Sequence, residues 1–128
     1  MNAAESKQLV LDFLGSWQGR DIDYIMSFFS DESMYHNVPV APLYGMAPIR
    51  AIFEAFLRGF PHASLDVVTA VAEPGLVIAE RIDRFRTSDG RDVNLPVTGV
   101  FVVRDRKIVR FSDYFDLDSF QRQSGLTL

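Results

Sequence analysis

Arg81 and Asp83 stand two residues apart in the run Leu76-Val77-Ile78-Ala79-Glu80-Arg81-Ile82-Asp83-Arg84-Phe85, and on an extended strand that spacing turns both side chains to one face. Val77, Ala79 and Phe85 share that face, so two opposite charges lie among apolar neighbours. Further on, Val109, Phe111, Asp113 and Phe115 alternate with Arg110, Ser112 and Tyr114, which predicts a buried Asp113. One arginine between two aspartates compensates only one negative charge, so burial is expected to leave one proton on the group at neutral pH. A carboxylate beside a carboxylic acid suits a push–pull step: one takes a proton from water while the other gives a proton to a leaving oxygen. Their titrations would be coupled. Such a step needs groups that hold the water, and Tyr35 and Asn37, on one face of the short run Met34 to Val38, are the candidates.

Each of these residues also has a plainer reading. An Arg–Asp pair at i,i+2 on a strand is more often a solvated ion pair than a catalytic one. Asp113 could cap the last helix, although Asp116 is better placed for that task. Tyr35 and Asn37 could simply mark an edge strand entering a loop. It is the conjunction of the five that favours chemistry.

The elements that must position them follow from periodicity. Leu9, Val10, Phe13, Leu14 and Trp17 recur at helical spacing from Glu5 to Trp17, and Gly19 lies just beyond as a stop. Asp21 can cap a second, short helix with Ile22, Ile25, Met26 and Phe29 on one stripe. Met34 to Val38 reads as a brief strand closed by Pro39, and Pro42 and Gly45 punctuate a loop. Pro48 suits the first turn of a third helix bearing Ile49, Ile52, Phe53, Phe56 and Leu57 up to Gly59.

Beyond Pro61 the period becomes two, with strands predicted at Leu65 to Ala72, Leu76 to Thr87, Val93 to Val103 and Ile108 to Phe115. Their short polar tips require an antiparallel meander, and a last short helix is predicted from Asp116 to about Ser124. With turns at Asp89-Gly90 and Asp105-Arg106, Arg81 and Asp113 both fall opposite the middle strand near Val97 and Thr98, and the more apolar face favours Val97. The outer strands are then roughly 10 Å apart, a gap that a curved sheet and a long arginine can close. Helices first and sheet second predict one α+β domain over residues 1–128, with helices on one face of a curved sheet.

Composition narrows the function. A chain of 128 residues with 48% hydrophobic and 23% charged residues is expected to fold around one core. With no cysteine there is no disulfide, thiolate nucleophile or Cys-ligated metal, and cytosol is the expected compartment. A net charge of -4 with scattered arginines argues against a nucleic-acid partner, and no run is apolar enough to suggest export or a membrane span. His36 and His62, the only histidines, lack metal-site spacing, so no metal is expected. Neither a nucleophilic-serine motif nor a phosphate-cradling loop is present.

The strings Met34-Tyr35-His36-Asn37-Val38-Pro39, Glu80-Arg81-Ile82-Asp83, Gly99-Val100-Phe101 and Asp113-Tyr114-Phe115-Asp116-Leu117 resemble those of the limonene-1,2-epoxide hydrolase family, in order and spacing. The resemblance runs from the first helix to the last. It implies a cone of curved sheet and helices similar to nuclear transport factor 2 and ketosteroid isomerase, a homodimer, and no cofactor. It further implies that Asp113 activates water with Tyr35 and Asn37, that Asp83 protonates the oxygen of a small apolar epoxide, and that Arg81 bridges the carboxylates. By the same resemblance Leu14, Trp17, Phe56, Phe60, Phe85, Leu95, Val97, Phe115 and Phe120 line the substrate pocket. Two rivals stand beside this reading: a ketosteroid-isomerase-like enzyme, which has no use for an arginine between its acids, and a non-enzymatic module binding an apolar ligand.

Overall fold

The computed structural model describes Met1–Leu128, and its elements follow the capping and punctuation signals closely. Helix α1 (Ala3–Ser16) begins earlier than Glu5 because Asn2 and Glu5 form a reciprocal capping box. It tightens into a 3₁₀ turn at Trp17–Gly19, after which Arg20 takes a left-handed conformation and Asp21 caps α2 (Ile22–Met26). That helix stops short of Phe29, yet Phe28 and Phe29 are still buried. Strand β1 (Met34–Asn37) follows, then a two-residue strand β2 (Leu43–Tyr44) in what the sequence presents as loop. Helix α3 (Met46–Gly59) holds Pro48 in its first turn, where the missing N–H has no helical partner to lose.

The second half is the expected meander: β3 (His62–Glu73), β4 (Leu76–Arg86), β5 (Asp92–Arg104) and β6 (Lys107–Tyr114). Asp116 then caps α4 (Leu117–Ser124), which Gly125 ends in a left-handed conformation. The sheet order is β2-β1-β6-β5-β4-β3. The meander is antiparallel throughout, but β1 joins β6 in parallel, so the six-stranded curved sheet is mixed and unclosed. The α+β architecture is as predicted. No helix is long and apolar enough to cross a membrane.

Two departures come from irregular strand pairing. A register shift between Val102 and Val103 makes Ile108, not Val109, the residue that turns inward with Phe111 and Asp113. Another, between Val67 and Thr69, breaks the alternation of β3.

The core has two parts. The larger centres on Phe13 of α1, whose ring meets Phe29, Phe111, Phe28 and Phe101 at centroid distances of 5.2, 5.4, 5.8 and 6.3 Å. These contacts are predominantly edge-to-face, the arrangement that aligns a ring's positive edge with its neighbour's negative face. The smaller part joins Phe60, Val93, Leu95, Val97 and Phe120. Replacing Phe13 by Ala removes the ring shared by these contacts and is expected to lower unfolding free energy by about 3–5 kcal/mol in urea titrations.

Candidate active site

Arg81 and Asp83 come from β4, Asp113 from β6, and β5 runs between them. Arg81 lies opposite Val97, as the face alternation favours, whereas Asp113 lies opposite Gly99 rather than Val97 or Thr98. The expectation for Asp113 is corrected by two residues. The shift keeps Asp113 on the same inward face, because side chains alternate with period two.

The guanidinium spans that gap. Arg81 Nε and Nη2 donate to Asp83 Oδ1 and Oδ2 at 2.8 and 2.9 Å, while Nη1 and Nη2 donate to Asp113 Oδ1 and Oδ2 at 2.9 and 2.7 Å. All three side chains are buried, Arg81 to 1% exposure, which rules out the solvated ion pair for these residues. The ring of Phe111 lies 5.8 Å from Arg81 Cζ and adds a cation–π contact.

Strand β1 supplies the rest. Its parallel register sets Asn37 beside Asp113 and Tyr35 beside Phe111. Tyr35 Oη donates to Asn37 Oδ1 at 2.8 Å, and the tyrosine ring is wedged against Phe53 and Phe111 at 5.0 Å each. The structure thus gathers all five polar residues at one cleft.

Burial sets the protonation of the group. Desolvation raises the Asp113 carboxyl to about 6, against the opposing pull of Arg81. Desolvation also works against the guanidinium, but Asp113 and Asp83 outweigh it and hold Arg81 firmly charged. Burial, and next the charge of Asp113, push the Tyr35 phenol well above its ordinary value, so it remains a protonated donor. A carboxyl that ionises just below neutrality can accept a proton near pH 7 and still bind it appreciably.

Of the 19 residues that line the cleft 15 are hydrophobic, so its walls are mostly apolar. It separates the two parts of the core: Trp17, Tyr35, Phe53 and Phe111 face it from the larger part, Phe60, Leu95, Val97 and Phe120 from the smaller. Phe56, Phe85 and Phe115 complete the expected lining. Leu14 does not belong to it. That side chain is 1% exposed within the larger core, and of the apolar stripe that runs from α1 into the 3₁₀ turn only Trp17, in that turn, reaches the cleft. Trp17 Nε1 has no hydrogen-bond partner, the single buried side-chain polar atom so placed.

Phe53, Leu57, Ala63, Leu65 and Phe111 also line the cleft, although the sequence reading places Phe53, Leu57 and Phe111 only on core-facing stripes. Phe53 was recoverable, since three-residue spacing sets it on the same helical face as Phe56. Leu65 was not, because the broken alternation of β3 hides that it lies opposite Asp83. No three His, Cys, Asp or Glu side chains are gathered as a metal-binding group.

A curved mixed sheet closed by helices over an apolar cleft, with ionisable groups at its floor, defines a cone-shaped pocket protein. The family model for the SnoaL-like domain matches residues 10–111, and the chain belongs to that family. Solved structures share the fold. An LEH-like epoxide hydrolase from Mycobacterium tuberculosis superposes with a TM-score of 0.82 at 24% identity, covering 94% of this chain and 92% of that one. A candidate polyketide cyclase from Xanthomonas campestris pv. campestris gives 0.84 at 21%, covering 97% and 99%. A protein from Catenulispora acidiphila with a ketosteroid isomerase-like fold, bound to trimethylamine, gives 0.80 at 19%, covering 92% of each chain. At these identities the likeness is one of fold.

Removing Arg81 leaves two facing carboxyls without a cation. Arg81→Met is expected to destabilise the protein by about 3–5 kcal/mol at neutral pH. Without the guanidinium the Asp113 carboxyl, already raised by burial, binds its proton still more tightly folded than unfolded, so stability is lost as pH rises through its folded value. Urea titrations at pH 7.5 and 4.5 should therefore show the larger loss at pH 7.5.

Proposed function

We propose that this protein is an epoxide hydrolase that adds water to a small, mostly apolar epoxide in one step. The observation that carries the reading is the double bidentate bridge, in which one guanidinium holds Asp83 and Asp113 side by side in a mostly apolar cleft. The resemblance of the five polar residues to the limonene-1,2-epoxide hydrolases supports it, as does the likeness in fold to the Mycobacterium tuberculosis LEH-like epoxide hydrolase.

Asp113, beside Asn37 in the sheet, is the base, and Tyr35 and Asn37 hold the water. Asp113 takes a proton from that water as its oxygen forms a bond to one epoxide carbon. The carbon–oxygen bond breaks, and Asp83 delivers its proton to the departing oxygen. A vicinal diol results, with no covalent enzyme intermediate. Exchange with solvent returns the proton lost by Asp83 and removes the one gained by Asp113. The step balances with water alone, so it calls for no cofactor.

The apolar lining selects size and hydrophobicity, as expected for cyclic or terpenoid-like epoxides. The protein works as a homodimer in this reading. The outer side of the sheet, where Val71, Ile78 and Tyr114 are exposed, is the surface offered to a second copy.

The test is incubation with a panel of epoxides, cyclohexene oxide and limonene oxide among them, in oxygen-18 water. Diol carrying one solvent oxygen from the first turnover is expected, and Asp113→Asn or Asp83→Asn should reduce turnover by roughly a hundred- to ten-thousand-fold. In kcat/KM the acid limb should fall near pH 6, where Asp113 takes up its proton. Rates like those of the parent in either variant would overturn the assignment. Proton exchange at a carbon next to a carbonyl, without diol, would move it to an isomerase, and retained ligand binding without turnover to a binding module.

A further inference from the structure

Gly99 occupies the middle of β5, opposite Asp113 and two residues beyond the partner of Arg81. Glycine in a strand interior is unfavourable, since it brings flexibility and no side chain to pack. A special backbone conformation does not account for it. The glycines with positive φ are Gly45, Gly75, Gly90 and Gly125, and Gly99 is not among them.

Space does account for it. A Cβ at position 99 would lie 2.6 Å from Arg81 Nη1, 2.8 Å from Asp113 Oδ1 and 2.9 Å from Phe101 Cε1. The first two are the donor and acceptor of one hydrogen bond, made at 2.9 Å. A methyl group there would wedge between the ends of that bond. Since the obstructing atoms are side-chain tips rather than backbone, the strand can remain paired while the tips separate.

We propose that Gly99 is a positioning residue: its missing side chain is the gap across which Arg81 reaches Asp113, and any larger residue uncouples that half of the bridge. The direct obstruction falls on the Arg81–Asp113 half, since no Asp83 atom is among the three nearest a Cβ at 99. The catalytic meaning of this coupling rests on the epoxide hydrolase reading, but the coupling itself does not.

The titratable groups facing Asp113 are Arg81 and Asp83 from β4 and Tyr35 from β1. From β5 and α3 only apolar side chains, Leu95, Val97, Phe53, Phe56 and Leu57, join them in the cleft. Arg81 is thus the only cation holding the Asp113 carboxyl down, and weakening that contact must raise its proton affinity.

The experiment is a carbon-13 NMR titration of the Asp113 carboxyl, assigned through Asp113→Asn, in the parent protein and in Gly99→Ala. The parent midpoint is expected near 6, and in Gly99→Ala it should rise by about one unit or more. Val103→Ala, which thins the core from the same strand face, is the control and should lower stability without moving the midpoint. The acid limb of epoxide turnover should move with the NMR midpoint. A shifted midpoint with no epoxide turnover in either protein would sink the hydrolase reading and leave the role of Gly99 standing. An unshifted midpoint in folded Gly99→Ala would overturn that role, whatever the turnover. Should Gly99→Ala not fold, Gly99→Ala with Phe101→Leu relieves the aromatic contact and leaves the two polar ones. The same rise is expected there, and if that protein also fails to fold, Gly99 serves folding rather than the bridge and the proposal falls.

Discussion

A guanidinium taken out of water keeps its charge, because its proton is too tightly held to be lost, so it must be met by anions on every side it presents. Arg81 is the largest fully buried side chain of this protein, and its Nε and both terminal nitrogens are engaged by two carboxylates. The dependence is mutual. Without the arginine, Asp83 and Asp113 would be two like charges in an apolar cleft. With it the group carries one excess negative charge, and burial, which outweighs the pull of Arg81, raises the proton affinity of Asp113. A carboxyl that ionises just below neutrality is thereby built from ordinary residues and burial.

Meeting that requirement shapes the sheet. The anions come from strands on either side of β5, so the guanidinium has to lie across a third strand, and β5 yields by presenting no side chain at Gly99. Strand β1 then adds in parallel to the far edge of β6, which sets Asn37 next to Asp113 and leaves Tyr35 donating to Asn37. The polar groups are therefore arranged mainly by backbone pairing, whose register is rigid and known to one residue.

The aromatic residues perform the complementary task. Phe13, Phe29, Phe53 and Phe111 pack into the larger core, while Phe60 and Phe120 build the smaller one with Val93, Leu95 and Val97. The cleft is the seam between them. Stacking of Phe101 on Phe111 at 4.5 Å and of Phe60 on Phe85 at 4.7 Å keeps rings upright on the sheet on both sides of the seam. Wide, stiff side chains hold such a space open where flexible ones would collapse into it.

Much of this was legible in the order of residues. Period-two alternation assigned Arg81, Asp83 and Asp113 to the inward faces, capping residues marked the helix starts, and short polar turns required the antiparallel meander, because all of these are local rules with a fixed period. Local rules do not carry across bulges or between distant segments. The sequence did not reveal that Ile108 displaces Val109, that Asp113 faces Gly99, that β1 pairs in parallel with β6, or that Leu14 stays in the core while Leu65 reaches the cleft. The amino-acid order by itself determined which side chains are turned inward. Only the tertiary structure decided which of them meet, since register across strands and the seam between two cores are set by packing of the whole chain rather than by any one stretch of it.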